Sequence, residues 1–170
     1  MTLTTISIII AAIIYAAYNA ISLANFGVPQ SLSMTYYLWK NKVNAGFVFP
    51  IMMYLVVAFM MPAWISLSEG SSFQFLAFLA PVAIAFVGTA PAFLDDKMEC
   101  RVHTVAAIVA AVCSLAWICL VTPYWITVPV ITVLVGERAW FTKSLRISYT
   151  YWLESIAFEA TFAAAIAYSI

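Results

Sequence analysis

The chain has 170 residues, of which 66% are hydrophobic and only 8% charged, and its seven Lys and Arg balance seven Asp and Glu. A soluble domain carries about 25% charged residues. The composition therefore excludes a soluble globular domain, a disordered tail and a disulfide scaffold, and it leaves no basic excess for a nucleic-acid partner. An integral membrane protein of the all-α class remains.

A membrane-spanning helix needs roughly 20 apolar residues, and six such runs follow one another. The first covers residues 4–25 and is closed by Gly27 and Pro29. It begins without the Lys or Arg of a signal peptide, so it reads as a retained helix. Asn19 and Ser22, one turn apart on it, suit hydrogen bonds to a neighbouring helix. A stretch dense in hydroxyl groups follows, from Pro29 to Tyr37. The second run is 43–66, with Pro50 and Pro62 inside, and the third is 73–93, with Pro81 near its middle. The fourth, 97–121, opens with Asp96 and Glu99 at capping-box spacing. The fifth is 123–140, where Thr122-Pro123 provides a cap and a first-turn proline. The sixth is 145–169, with Ser144 as its cap. Together they predict one transmembrane domain over 1–170, a polytopic bundle of six transmembrane helices.

Charge sets the expected orientation. With six spans, Lys40, Lys42, Lys97, Arg101, Arg138, Lys143 and Arg146 all fall on one side. The positive-inside rule then places both termini outside the cytoplasm. Tyr36, Tyr37, Trp39, Trp140, Tyr149 and Trp152 gather at the basic end. Trp64, Trp117, Tyr124, Trp125 and Tyr168 gather at the other, so that two interfacial belts are expected. Cys100, Cys113 and Cys119 have no paired spacing, which gives neither a disulfide framework nor a zinc motif. No cofactor or metal set is expected.

Few residues can carry chemistry. Glu159 stands roughly 20 Å into the last helix, counted from residue 145 at 1.5 Å per residue. A carboxylate at that depth must be paired or hydrated, so Glu159 is read as a proton, ion or ligand contact, or as a hydrogen-bonded strut with Ser155 as a local partner. Glu154 is about 140° round the same helix from Glu159 and suits a pair with Arg146 or another basic residue at that end. Asp96, Glu99 and His103 repeat at i, i+3 and i+7 on one helix face. They could bind a cation or exchange protons, or simply cap the helix. Ser31 and Ser33 have no adjacent histidine, so a Ser-His pair requires the fold to bring His103 to them. Glu137 and Arg138 read as an interfacial ion pair.

Two pieces of the chain resemble the FGF-receptor-activating/DRAM/Sfk group of six-helix membrane proteins and their small bacterial relatives. They are Pro29-x-Ser31-x-Ser33 after the first helix, and Val102-His103 followed by Ala106, Ala107 and later Trp117. The late acid Glu154 is similar as well. The resemblance implies a six-helix bundle with a lipid or trafficking role. It also implies an external Pro29–Ser33 loop, whereas the charge rule places that loop on the cytoplasmic side. The late His-x-x-x-His of the ceramidase and adiponectin-receptor hydrolases has no counterpart, because His103 is the single histidine.

The leading expectation is a non-enzymatic protein of a bacterial inner membrane. A cytoplasm-facing polar pocket made by Ser33, Asp96, Glu99, His103, Glu154 and Glu159 would bind a lipid headgroup or small ligand. Its partners are membrane lipids and a small molecule, and the oligomeric state is left open. A small transporter or proton pathway through Glu159 is the second expectation. A membrane-embedded lipid-modifying enzyme with His103 as base is the third.

Overall fold

The computed structural model describes residues 1–124, 141 and 146–170. These residues form six α-helices and no strand: α1 (Leu3–Phe26), α2 (Thr35–Val43), α3 (Val48–Leu67), α4 (Gln74–Thr89), α5 (Lys97–Val121) and α6 (Tyr149–Ser169). A single 3-10 turn, Arg146–Ser148, leads into α6. The expected helix at 123–140, together with Glu137, Arg138, Trp125, Trp140, Lys143 and Ser144, lies outside the described residues.

Helix ends follow local chemistry. Thr2 caps α1 by accepting the Thr5 N–H at 3.1 Å. Gly27 closes α1 at a φ of 73°, a conformation that favours glycine. Asp96 Oδ1 accepts the N–H groups of Met98 and Glu99 at 2.7 and 2.9 Å, so α5 begins where its cap does. The third expected run forms α4, which stops at Thr89, short of the expected 93, because the residue before Pro91 is turned away from helical geometry. Thr122 closes α5.

The main departure is at the second expected run, which forms α3. It begins at Val48 rather than 43, and a separate helix, α2, precedes it. α2 carries Lys40, Asn41 and Lys42, so it does not read as an apolar run. It is amphipathic at its end of the bundle, burying Thr35 and Tyr37 and exposing the two lysines, and Asn44 ends it in the left-handed region at φ 54°. This shift puts Pro50 in the first turn of α3, where proline costs no hydrogen bond, and leaves Pro62 and Pro81 inside helices.

Leu3–Phe26, Val48–Leu67 and Lys97–Val121 are long and apolar enough to cross a membrane, and Gln74–Thr89 is a shorter apolar helix. Large apolar side chains cover the outside of the bundle. On α5, Val105 is 61% exposed and Val112 60%. A surface of this kind fits lipid rather than water.

The helices close into a ring, with α1 against α3, α3 against α4, α4 against α5, α5 against α6 and α6 back against α1. Gly88 brings α4 close to α3; a Cβ there would stand 3.0 Å from the Met53 Cβ. Trp64 and Trp117, expected in an interfacial belt, are instead 1% and 0% exposed and pack edge to face in the core. Trp117 is drawn inward by its indole N–H, which donates to Ser68 Oγ at 2.7 Å.

Candidate functional site

The segment between α1 and α2 folds over one end of the ring, and the first turns of α6 hold it there. The Tyr151 N–H donates to the Gln30 carbonyl at 3.1 Å. This satisfies a helix N-terminal donor that has no partner within its own helix. In return the Leu32 N–H donates to Glu154 Oε2 at 2.6 Å. Glu154 therefore takes a backbone partner from the loop; the Arg146 side chain, expected as its partner, lies outside the described residues. Beneath the loop, the Tyr18 hydroxyl donates to Thr35 Oγ1, which donates to the Leu32 carbonyl.

This pinning sets Ser33 against α5. Ser33 Oγ lies 2.8 Å from His103 Nε2, and His103 Nδ1 lies 2.9 Å from the Ala90 carbonyl oxygen. A carbonyl only accepts, so Nδ1 carries the ring proton. In the neutral ring Nε2 is then bare, and the Ser33 hydroxyl donates to it. Phe93 stacks on the imidazole with centroids 4.5 Å apart, and the ring is 6% exposed. The fold thus supplies the Ser-His contact that the sequence left to it.

Below Ser33 and Glu154 a cavity runs down the inside of the ring. It admits the centres of water-sized groups over about 90 Å³, several times the roughly 10–15 Å³ that one water needs. Met53, Val56 and Met60 of α3 line one side. Ala107 and Ala110 of α5, and Phe158 and Phe162 of α6, line the other, with Trp64 also on the wall. On α6 the lining spans Glu154 to Phe162, about 12 Å at 1.5 Å per residue. Ser114 and Thr161 are the remaining hydroxyls of the lining, and the Thr161 hydroxyl is turned back onto the Ala157 carbonyl at 2.7 Å.

The expected site residues separate into two groups. Ser33 and Glu154 line the cavity, and His103, outside that lining, meets Ser33. Asp96 caps α5, and Glu99 Oε2 accepts the Ala92 N–H at 2.9 Å, bracing the α4–α5 turn. Neither acid lines the cavity. Among the described residues no group of three His, Cys, Asp or Glu side chains stands together as a metal site would. Glu159 is exposed on the outer face of α6, outside the cavity lining. Ser155, its expected partner, is buried. Asn19 and Ser22 do bond to other helices: Asn19 Oδ1 accepts the Tyr151 hydroxyl at 3.2 Å, and Ser22 Oγ accepts the Trp39 indole N–H at 3.0 Å.

At the rim, between α2 and the α4–α5 turn, Lys40 Nζ donates to Asp95 Oδ2 at 3.2 Å. That bond holds the ammonium above the ordinary lysine value. The Tyr37 hydroxyl accepts the Leu94 N–H at 2.8 Å, and burial pushes the phenol up. These contacts steady the turn that carries Ala90 and Phe93.

Sequence reasoning did not find the Leu32 N–H, the Ala90 carbonyl or the apolar walls. Backbone groups carry no residue identity. The one available signal was the Ala106, Ala107, Ala110 and Ala111 stripe, whose small side chains leave room beside α5.

Compared with known proteins, the chain matches no family model, no curated sequence and no solved structure. A functional reading therefore rests on the geometry of this chain.

Proposed function

We propose that the chain is a six-span protein of a bacterial-type inner membrane, with both termini outside the cytoplasm, and that its cavity binds one amphiphilic lipid or lipid fragment. The topology draws on the ends of the helices. Lys40 meets Asp95 at the Ser33 end of the bundle. Thr5 Oγ1 donates to the Ser169 carbonyl at 3.3 Å near the two termini. α5 finishes near Ser68, which Trp117 contacts, whereas α6 starts beside Gln30. A span at 123–140 supplies the return crossing, and the positive-inside rule sets the Lys40 end in the cytoplasm.

The observation that carries the binding reading is the polarity of the cavity. Ser33 and Glu154 line it at the end where the α1–α2 segment meets α6, and Met53, Val56, Phe158 and Phe162 line it further along α3 and α6. Pockets with apolar walls and a few placed polar groups are the usual form of a ligand site. A polar end would meet Ser33 and Glu154, and an apolar chain would lie along α3 and α6.

Native mass spectrometry with dodecanoate tests this. The wild type is expected to carry one dodecanoate, and Ala110→Phe, which fills the space beside α5, is expected to lose it while unfolding at the same temperature. Equal occupancy in a folded Ala110→Phe protein refutes the reading.

A further inference from the structure

We infer that Ser33 and His103 form a nucleophile–base pair that takes the acyl group of a lipid ester bound in the cavity, giving membrane-embedded acyl-ester hydrolysis. The inference rests on the cavity reading, because the cavity is what holds the acyl chain.

Three features of the geometry carry it. The first is direction. Nδ1 is committed to the Ala90 carbonyl, so Nε2 faces Ser33 Oγ at 2.8 Å as an acceptor. This is the arrangement in which histidine removes a hydroxyl proton. The second is orientation of the base. In many Ser-His hydrolases a carboxylate holds Nδ1 and stabilises the imidazolium that forms. Here Ala90 is the C-cap of α4, and the partial negative charge of a helix C-terminus favours a cation. Phe93, stacked on the ring, fixes its plane. The third is placement. Ser33 lines the cavity together with Glu154, and the Glu154 carboxylate holds the neighbouring Leu32 N–H. Glu154 is a positioning residue for Ser33.

The chemistry balances without a cofactor. Ser33 Oγ attacks the ester carbonyl carbon, and its proton passes to His103 Nε2. The bond from that carbon to the leaving alkoxide breaks, and the alkoxide departs with the proton from Nε2. Water then attacks the acyl-Ser33 ester through the same base. Ser33 Oγ regains its proton as the free acid leaves. The net reaction is ester plus water to acid plus alcohol.

The test uses the full chain in nanodiscs with p-nitrophenyl dodecanoate, and in parallel with a short-chain alkyl fluorophosphonate, which reacts with an activated serine and needs no acyl cavity. With the second probe the Oγ–P bond forms, the P–F bond breaks, and fluoride leaves. The expected results are a p-nitrophenolate burst and an adduct on Ser33 by peptide mass spectrometry. Ser33→Ala removes the adduct, and His103→Gln slows it by about 10²–10⁴-fold, the usual worth of a general base. Ser33→Cys, nearly the same size, keeps a nucleophile and traps the acyl group as a thioester, so a loss in Ser33→Ala is not read as misfolding. If the wild type binds dodecanoate and neither probe marks Ser33, the pair is a structural strut; this inference falls and the cavity reading stands. If dodecanoate does not bind, the cavity reading falls, and the fluorophosphonate arm alone decides whether Ser33 is activated.

Discussion

Replacing Glu154 separates its hydrogen-bonding role from its size and charge. Leu32 is 2% exposed, and the Glu154 carboxylate accepts its N–H at 2.6 Å. Glu154→Leu leaves that N–H buried without a partner, at a cost of about 1–3 kcal/mol. For a chain of this length about 2 kcal/mol lowers Tm by roughly 4–8 °C. Glu154→Gln keeps an acceptor oxygen at the same place, and its loss is expected to stay within about 1 kcal/mol. Gln30→Ala provides the control. The bond from Tyr151 to residue 30 uses the backbone carbonyl, so deleting that side chain should be silent. Thermal unfolding of the three variants in one detergent measures all of this. If Glu154→Leu and Glu154→Gln unfold together, the carboxylate does not pin the loop, and the account of how Ser33 is positioned is wrong.

Other consequences are open to similar measurements. Trp117→Phe and Ser68→Ala each remove the 2.7 Å bond between α5 and the end of α3; a double-mutant cycle should give a coupling of about 1 kcal/mol, and additive losses would deny that bond a stabilising role. Gly88→Ala sets a methyl 3.0 Å from the Met53 Cβ, which the flexible end of the methionine cannot relieve, so a loss of about 1–3 kcal/mol is expected from overpacking; an unchanged Tm would show that α3 and α4 separate freely. The Lys40–Asp95 pair raises the folded-state lysine value above its ordinary 10.5. Its stabilisation is therefore complete below that pH and is lost as pH rises through the folded value. Both side chains are about half exposed, so the effect should be small and weakened by salt. Comparing Asp95→Asn with wild type from pH 9 to 12 checks the sign, and a wild type that gains stability over this range relative to the variant would reverse it.

Much of the fold was legible because long apolar helices announce themselves by length and composition. The first run was expected at 4–25 and forms Leu3–Phe26, and the fourth has the bounds 97–121 that Asp96 and its cap dictate. α2 was not legible, since Lys40, Asn41 and Lys42 break the apolar pattern while the buried faces of Thr35 and Tyr37 sustain the helix. The two tryptophans misled for a related reason: Trp64 and Trp117 lie where a belt is expected, and only the Ser68 hydroxyl shows that one of them turns inward. Of the site, the residue types were legible and their pairing was not. Ser33 and His103 are 70 positions apart, and no periodicity within one helix reports a contact between a loop and another helix.

The acids of this chain show why residue type alone ranks them poorly. Glu159 attracts notice by its depth, yet it sits on the exposed face of α6, while Glu154, five residues earlier, reaches the cavity. Asp96, Glu99 and Glu154 all accept backbone N–H groups. In a low-dielectric setting an unpaired N–H is expensive, so a carboxylate that satisfies one fixes the segment bearing it. Glu99 thereby fixes the turn that presents the Ala90 carbonyl, with Asp96 fixing the start of α5 that bears Glu99, and Glu154 fixes the loop that presents Ser33. Both lead to the same imidazole. Ala90 holds its Nδ1 and Ser33 meets its Nε2, so the charged residues set the geometry and the contacts to the ring fall to two uncharged partners. On the proposed Ser-His pairing, substitutions at Asp96 or Glu99 should disturb Ser33 reactivity only as far as they loosen the 90–96 turn, whereas His103→Gln should slow it by about 10²–10⁴-fold in a protein that still binds dodecanoate.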